Sequence, residues 1–347
     1  MKLKNINISE RMAHYNVSGI SIAFIENGEV HMTKEFGVMK AGTNRNVNSN
    51  SIFNACSISK FLTAMLVLKL ADQGILHLDE DINNRLIFWK VPENEYTQNK
   101  KVTLRTLLSH QSGIIDPEGS FCEFNSTLGK PTMVELLEGK TPYCKERIEM
   151  KYEPESDFQY SDAGFCIIQQ VLEDICDKPF EVLMDELIFE PLHMKNSTFE
   201  QTTLPVSSVQ FSCGHNKKGE VVSSEYPIYP YPAAAGLWTT PTDLAILVIE
   251  VMNVLKGASK ICLSESKTKE LITSQGCKEW VGLGVFLDGT GQDVEISSLG
   301  WGIGFQSMLV AYPYLETGVV IMTNTDLGVH QMKGIIGEIL REIYRIY

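Results

Sequence analysis

Ser57 and Lys60 are the two residues whose types and spacing best suit nucleophilic chemistry. In a helix, residues three apart lie on one face, so a lysine amine one turn after a serine can reach the serine oxygen. An amine in that position can accept the hydroxyl proton and turn an unreactive alcohol into a nucleophile. The spacing therefore predicts a nucleophile at Ser57, with Lys60 taking part in proton transfer.

The same Ser-x-x-Lys spacing occurs twice more, at Ser264/Lys267 and Ser266/Lys269, in a polar segment with no apolar pattern around it. Spacing alone is therefore not specific. The first copy differs because small residues lead from it into an apolar helical pattern. The residues that share one face of that predicted helix are Phe61, Leu62, Met65, Leu66 and Leu70.

Tyr160 and Asp162 lie two residues apart where a second predicted helix, residues 163–175, begins. Asp162 suits the N-cap position of that helix, because its carboxylate can accept a backbone N–H. Tyr160 could then be a partly buried aromatic residue with no chemical role. The alternative is that both side chains face Ser57, and the sequence of this segment leaves both interpretations open.

A glycine-rich segment, residues 298–305, lies between two predicted strands and contains Ser298, Gly300 and Trp301. Without Cβ atoms, such a segment can form a loop or bulge, or let a ligand approach the backbone. It lacks the Gly-x-Gly-x-x-Gly pattern, and the chain has no phosphate-binding loop, His-Glu-x-x-His, Cys-x-x-Cys or Gly-x-Ser-x-Gly motif. We therefore expect no nucleotide, metal or other cofactor.

The composition is that of an ordinary globular protein, with 347 residues, 44% hydrophobic and 21% charged. Lys and Arg total 30 against 43 Asp and Glu, for a formal net charge of −13. This charge disfavours binding to nucleic acid and to anionic lipid, so the expected partner is a small molecule. The pattern does not predict an oligomeric state.

No export or membrane segment is expected from the pattern of apolar residues. Residues 1–7 carry positive charge with no apolar stretch after them, and Glu250 and Asn253 interrupt the longest apolar run. The eight cysteines are scattered without a tight framework, which favours free thiols in a reducing cytoplasm. The alternative that the chain derives from a secreted protein whose leader was removed is left open.

Strand patterns occur near both ends of the chain and helical patterns between them. The first two predicted strands, residues 17–24 and 29–36, flank the turn Asn27-Gly28; the later strands are 282–287, 294–298, 305–312 and 318–323, followed by a helix at 331–344. Neither group of strands would be stable alone, so we expect one sheet built from both ends. The predicted fold is α/β (α+β), a single domain with a discontinuous sheet-containing subdomain (1–54 and 235–347), an inserted mainly helical subdomain (55–234), and the active site between them.

In this order along the chain, Ser57-x-x-Lys60, Tyr160-x-Asp162 and residues 298–305 resemble motifs of the serine β-lactamase and penicillin-binding protein superfamily. The resemblance is greatest to the branch of class C β-lactamases, esterases and D-aminopeptidases. Further stretches of the family are similar to residues 102–114, 153–154, 236–240 and 319–324, so the likeness covers residues 15–345. It implies a β-lactamase-like fold, with a mixed, mainly antiparallel sheet flanked by helices.

The resemblance also implies a role for each candidate residue. Ser57 would attack a carbonyl to form an acyl-enzyme that water hydrolyses, while Lys60 and Tyr160 move its proton. A nearby ammonium would lower the tyrosine pKa enough for the pair to act as a base near neutrality. The backbone N–H groups of Ser57 and Trp301 would bind the oxyanion, and the substrate would contact Asp162, Ser298, Gly300, Trp301 and Asn324.

Two positions depart from the family pattern. The family usually has Lys or His where Ser298 stands, and Asn where Asp162 stands. The site loses a cation and gains an anion, which favours neutral or cationic esters, amides or peptides over anionic ones. We expect an esterase or D-amino-acid peptidase; the alternatives are a β-lactamase or D-alanyl-D-alanine carboxypeptidase, and a non-catalytic binding or scaffold protein.

Two neighbouring residues have simpler expected roles. Cys56 is more consistent with a small buried residue than with a nucleophile, because its side chain would point away from Lys60. His110 is expected to belong to a structural turn.

Overall fold

The computed structural model describes residues 5–199 and 210–344. Its strands in chain order are β1 Gly19–Glu26, β2 Glu29–Gly37, β3 Phe53–Cys56, β4 Leu237–Thr239, β5 Phe286–Asp288, β6 Glu295–Gly302, β7 Phe305–Tyr312 and β8 Thr317–Thr323. Its α-helices are α1 Ile8–Tyr15, α2 Ser59–Asp72, α3 Leu104–Leu108, α4 Met133–Leu137, α5 Asp162–Cys176, α6 Phe180–Met184, α7 Glu190–Leu192, α8 Pro232–Ala235, α9 Pro241–Leu255, α10 Glu265–Leu271 and α11 Ile335–Tyr344. A π-helical turn, Asp185–Phe189, joins α6 to α7.

The main sheet has the strand order β2-β1-β8-β7-β6-β5, and each neighbouring pair is antiparallel. Its centre joins the two ends of the chain, since Ile22 in β1 pairs with Ile321 in β8. Strands β3 and β4 form a separate antiparallel pair. The prediction of one sheet built from both chain ends is confirmed.

Alternating side chains of β1 enter two different hydrophobic clusters, as expected for a strand covered on both faces. Ile20, Ile22 and Phe24 pack with residues of α1 and α11 on one face. Ala23 and Ile25 belong to the larger cluster on the other face, which contains α2, α5 and α9.

Helix α2 is almost entirely buried. Its residues from Ser59 to Leu70 are all buried, including Lys60. An ionisable side chain at such a position requires specific polar partners, because burying an unpaired charge is very unfavourable. The partners of Lys60 come from α5 and α8.

The glycine-rich segment is largely an ordinary strand, so the loop or bulge considered from the sequence is wrong for residues 298–302, which complete β6. Gly300 pairs with Ser307 of β7. A Cβ at Gly300 would lie 2.1 Å from the Ala55 carbonyl oxygen, so glycine allows β6 to pass close to β3. The short pair β3/β4 has no counterpart among the predicted strands.

No helix in residues 5–199 and 210–344 is long and apolar enough to cross a membrane. All eight cysteines are free, with Cys56, Cys144, Cys166 and Cys213 buried. The division into subdomains at residues 54/55 and 234/235 stays a prediction.

Candidate active site

A strained turn between β3 and α2 presents Ser57. Cys56 has a φ of 48°, a left-handed conformation that is costly for residues other than glycine. Two side chains hold it there: Asn54 Oδ1 accepts from the Cys56 N–H at 2.8 Å, and the Ser59 hydroxyl donates to the Cys56 carbonyl at 2.6 Å. Ser57 lies in this turn, two residues before the first residue of α2.

The Lys60 ammonium is the centre of the polar contacts next to Ser57. Its Nζ lies 3.2 Å from Ser57 Oγ, 2.6 Å from Asp162 Oδ1 and 2.8 Å from the Ala234 carbonyl oxygen. The Lys60 side chain is only 3% exposed. Three acceptors around a buried ammonium satisfy its three donors and fix its position.

These partners determine the protonation of Lys60. Burial by itself lowers the lysine pKa, but the negative charge of Asp162 and the contact with Tyr160 outweigh burial, and the pKa is raised above its usual value. At neutral pH, Lys60 is therefore an ammonium ion. It orients the Ser57 oxygen but has no free lone pair in that state.

Tyr160 lies against the same ammonium, with the centre of its ring 4.8 Å from Lys60 Nζ. Burial raises the pKa of Tyr160 more than the Lys60 charge lowers it, and Asp162 raises it further. The Lys60 ammonium does lower the tyrosine pKa, as expected, but the expectation that this lowering is enough for a base near neutrality is wrong, because burial outweighs it. The resting site holds a neutral phenol beside a charged lysine.

Asp162 does not cap α5, contrary to one of the two interpretations of its segment. The N-cap is Ser161, whose Oγ accepts from the Gly164 N–H at 3.0 Å. Asp162 is the first helical residue, and its carboxylate pairs with Lys60 instead. Tyr160 and Asp162 thus both face the nucleophile region from one turn.

The loop after α3 supports that turn through two residues that sequence reasoning did not assign to the site. His110 stacks on Tyr160 with 4.3 Å between ring centres, and its Nδ1 accepts from the Ser161 N–H at 3.1 Å. Burial, with the Lys60 charge, holds the pKa of His110 well below its usual value, so the ring is neutral. Asp116 accepts from the Ser161 hydroxyl at 2.7 Å and from the Asp162 N–H at 2.7 Å.

Ser57, Lys60, Tyr160 and Ser298 line one small cleft; the other lining residues are His110, Gly284, Val285, Phe286 and Leu299. Ser298, on β6, is 4% exposed. The cleft thus brings together three motifs from distant parts of the chain, at residues 57–60, 160 and 298.

Aromatic rings extend one wall of this cleft toward the surface. Phe286 lies 6.1 Å from Trp280, and Trp280 lies 4.6 Å from Phe158, measured between ring centres. Phe158 in turn contacts His110 at 5.7 Å. These ring contacts connect Tyr160 and His110 at the cleft with Trp280, which is 45% exposed.

Gly300 and Trp301 continue β6 beyond Ser298. Strand β5 pairs only with residues Glu295 to Ser297 of β6, so this edge of β6 has no β5 partner at Gly300 and Trp301. The Trp301 ring is 45% exposed, and its Nε1 donates to Asp326 at 2.8 Å. A role for the Trp301 backbone N–H as an oxyanion donor stays a prediction.

Asn324 lies outside the cleft. Its side chain is fully buried, and Nδ2 donates to the carbonyl oxygens of Val38 and Met39 at 3.1 Å each. The amide ties the end of β8 to the segment after β2. The predicted substrate contact of Asn324 is therefore wrong.

Cys56 is 2% exposed and burial raises its thiol pKa, so the prediction of a buried rather than nucleophilic cysteine is confirmed. Within the described ranges, no group of three or more His, Cys, Asp or Glu side chains is placed to hold a metal ion.

A protein-family model described as beta-lactamase matches residues 6–338. Among curated proteins, the chain is similar to protein flp of Staphylococcus aureus (strain COL), with 24% identity over 230 residues, which cover 65% of this chain and 42% of that protein. It is also 26% identical over 213 residues to penicillin-binding protein 4 of Amycolatopsis lactamdurans, covering 61% of this chain and 52% of that protein. The chain thus spans about half the length of these relatives.

Solved structures share the fold. The D-amino acid amidase from Ochrobactrum anthropi SV3, complexed with D-phenylalanine, superposes with a TM-score of 0.76 and 20% identity, covering 97% of this chain and 96% of that chain. The match confirms the predicted fold class.

Proposed function

The chain belongs to the beta-lactamase family, and from that premise we propose that it is a serine hydrolase that forms an acyl-enzyme at Ser57 and hydrolyses an ester or amide. The observation that carries the proposal is the position of Lys60 Nζ, 3.2 Å from Ser57 Oγ in a cleft that Tyr160 also lines. A nucleophile hydrogen-bonded to a possible base, itself held by a third group, is the arrangement that covalent catalysis requires.

The proposed reaction has two halves. In the first, Ser57 Oγ bonds to the carbonyl carbon while its proton passes to the Lys60/Tyr160 pair and then to the leaving alcohol or amine. In the second, the pair takes a proton from water, the hydroxide adds to the acyl carbon, and Ser57 leaves with the proton restored. The backbone N–H groups of Ser57 and Trp301 are the proposed oxyanion donors in both halves.

Since Lys60 and Tyr160 are both protonated at rest, the reactive state has lost one proton from the pair. The remaining proton is shared, so the base is a property of the pair and not of either residue alone. Because the pKa values of both groups are raised, this form is rare at neutral pH, and it becomes more abundant as pH rises.

We propose neutral or cationic substrates for this cleft. Ser298 supplies a hydroxyl where family members usually carry a cation, and the nearby Lys60 charge is compensated by Asp162. Among the described residues that line the cleft, an anionic substrate would therefore find no uncompensated positive charge, while Phe286 offers an apolar surface. The pairing of Asp162 with Lys60 supports neutral substrates more directly than cationic ones.

The selectivity is tested by comparing kcat/KM for a neutral acyl ester with that for the same ester carrying a carboxylate. We expect the neutral ester to be turned over at least tenfold faster, which corresponds to about 1.4 kcal/mol. A preference for the anionic ester would contradict the substrate proposal.

One relative is named a penicillin-binding protein, which keeps a β-lactamase or D-alanyl-D-alanine carboxypeptidase as the second candidate. Treating the protein with a fluorophosphonate probe and, separately, a penicillin probe distinguishes the candidates when the adduct is located by mass spectrometry. We expect fluorophosphonate on Ser57 and no label in Ser57→Ala. Labelling by both probes would favour the second candidate, and labelling by neither would favour a non-catalytic scaffold.

The proposed partner is a small-molecule ester, amide or peptide. The net charge of −13 disfavours nucleic acid. A cytoplasmic location is part of the proposal and is supported by eight cysteines that form no disulfide.

A further inference from the structure

Asp116 forms a clamp on the first turn of α5 from a separate loop. Its Oδ1 accepts from the Ser161 hydroxyl at 2.7 Å and from the Ala163 N–H at 3.1 Å, while Oδ2 accepts from the Asp162 N–H at 2.7 Å. The first N–H groups of a helix have no partner within the helix and attract negative charge. One carboxylate thus binds three consecutive residues.

The turn held by this clamp carries Asp162, whose Oδ1 lies 2.6 Å from Lys60 Nζ. The Asp162 side chain is 24% exposed, so solvent is available to it if the turn changes shape. A continuous path of hydrogen bonds therefore runs from Asp116 through the backbone of Asp162 to Lys60 and on to Ser57 Oγ.

We propose that Asp116 is a positioning residue that acts through Asp162: it holds the Asp162 carboxylate against the Lys60 ammonium and so determines the pH range in which Ser57 reacts. The inference rests on the proposed function of Ser57 as a nucleophile. Within the described ranges, the side-chain hydrogen bonds of Asp116 go to residues 161–163 and not to Ser57 or Lys60.

Several charged and titratable groups face this path. Lys60 faces Asp162, Tyr160 and the neutral ring of His110. Asp116 faces Asp162 and interacts electrostatically with the thiols of Cys144 and Cys166, which burial keeps protonated. Burial and the Asp162 charge raise the pKa of Asp116 itself, so the clamp weakens when acid protonates it.

The test uses the rate at which a fluorophosphonate labels Ser57, measured against pH, because labelling reports nucleophile activation without a deacylation step. The labelling rate should rise with pH, and we call this part of the pH–rate profile the rising limb. The Asp162 charge raises the pKa values of Lys60 and Tyr160, so Asp162→Asn should shift the rising limb to lower pH by about one unit or more. Asp116→Asn should shift it in the same direction by a smaller amount. An asparagine has one acceptor oxygen where Asp116 uses two, so the turn loosens and Asp162 moves away from Lys60.

The double variant decides the mechanism. If Asp116 acts through Asp162, Asp116→Asn should add less than a twofold change in rate to Asp162→Asn at every pH. Equal shifts in both backgrounds, or a lower rate with no shift in pH, would overturn the proposal. Labelling of Ser57 in the unsubstituted protein is measured first, and its absence would refute the proposed function and not merely this inference.

Asp243 provides a matched control. Like Asp116, it is a carboxylate that accepts from a backbone N–H and a serine hydroxyl, here the Asn196 N–H at 2.9 Å and Ser197 Oγ at 2.8 Å, and burial raises its pKa. Unlike Asp116, it belongs to the helix itself, in the first turn of α9. Asp243→Asn should leave the pH profile unchanged. A shift equal to that of Asp116→Asn would overturn the proposal.

Should Asp116→Asn fail to fold, Ser161→Ala removes a single hydroxyl from the clamp. It should produce a smaller shift of the limb to lower pH in the same assay. An unchanged limb in folded Ser161→Ala, as judged by thermal unfolding, would count against the proposal.

Discussion

The chain contains the Ser-x-x-Lys spacing at the start of α2 and again at the start of α10, and the two regions use it differently. At α2, Lys60 Nζ contacts Ser57 Oγ and is 3% exposed. At α10, Ser264 is the N-cap: its Oγ accepts from the Lys267 N–H at 3.3 Å and donates to Asp72 at 2.8 Å. Lys267 Nζ turns to Glu270 instead, at 2.7 Å.

The difference shows that spacing supplies only proximity. Lys267 has a neighbouring carboxylate and 25% exposure, so water competes for its charge. Lys60 is enclosed by α2, α5 and α8, where its few partners determine both its direction and its protonation. The proposed nucleophile, Ser57, therefore differs from the helix cap, Ser264, in the burial of its lysine more than in its sequence motif.

Replacing the two serines should give the largest contrast. Ser57→Ala should reduce ester turnover by about 10⁴-fold or more, because Ser57 is the cleft hydroxyl that Lys60 Nζ contacts, at 3.2 Å. Ser264→Ala should retain the activity of the unsubstituted protein within about twofold. Initial rates with a neutral p-nitrophenyl ester measure both activities. Equal losses in the two variants would contradict the assignment of Ser57 as the nucleophile.

Replacing the two lysines should give the next largest contrast. Lys60→Ala removes the proposed proton carrier and should lower kcat by about 10² to 10⁴-fold. Lys267→Ala removes an ion pair that is about a quarter exposed and should leave kcat unchanged. Single-turnover acylation rates measure the effect, and an active Lys60→Ala variant would assign the base role to another group.

The pH dependence should sharpen the same contrast. Because the pKa values of Lys60 and Tyr160 are raised, the deprotonated pair is rare at neutral pH and grows tenfold per pH unit. We expect log kcat/KM to rise with a slope near +1 between about pH 7 and pH 9. A plateau that begins at pH 7 would mean that one of these groups titrates at or below neutrality.

The smallest expected contrast is in the free energy of unfolding. Here Ser264→Ala should have the larger effect and Ser57→Ala the smaller one. Ser264→Ala removes the N-cap of α10 and should lower the free energy of unfolding by about 1 kcal/mol. Ser57→Ala should change it little, because no side chain caps α2. Thermal unfolding measures both, and a larger loss for Ser57→Ala would mean that its hydroxyl supports the fold.

Much of the fold follows from local pattern. Short runs rich in apolar residues predict β7 at its observed bounds, residues 305–312, and place β1 and β8 within a few residues. The bounds of α2 are less predictable, since Ser57 belongs to the turn before the helix. Strands β3 and β4 escape detection because they are short and pair across nearly two hundred residues.

The sequence by itself determined the candidate nucleophile, the family and the arrangement of one sheet from both chain ends. Each depends on residue types and short spacings that are visible in one dimension. Only the tertiary structure decided that Asp162 pairs with Lys60, that Asn324 lies outside the cleft, and that Asp116 holds the turn of Tyr160 and Asp162. These contacts join segments 45 to 286 residues apart, and the protonation of Lys60 and Tyr160 depends on burial, which exists only once those segments pack together.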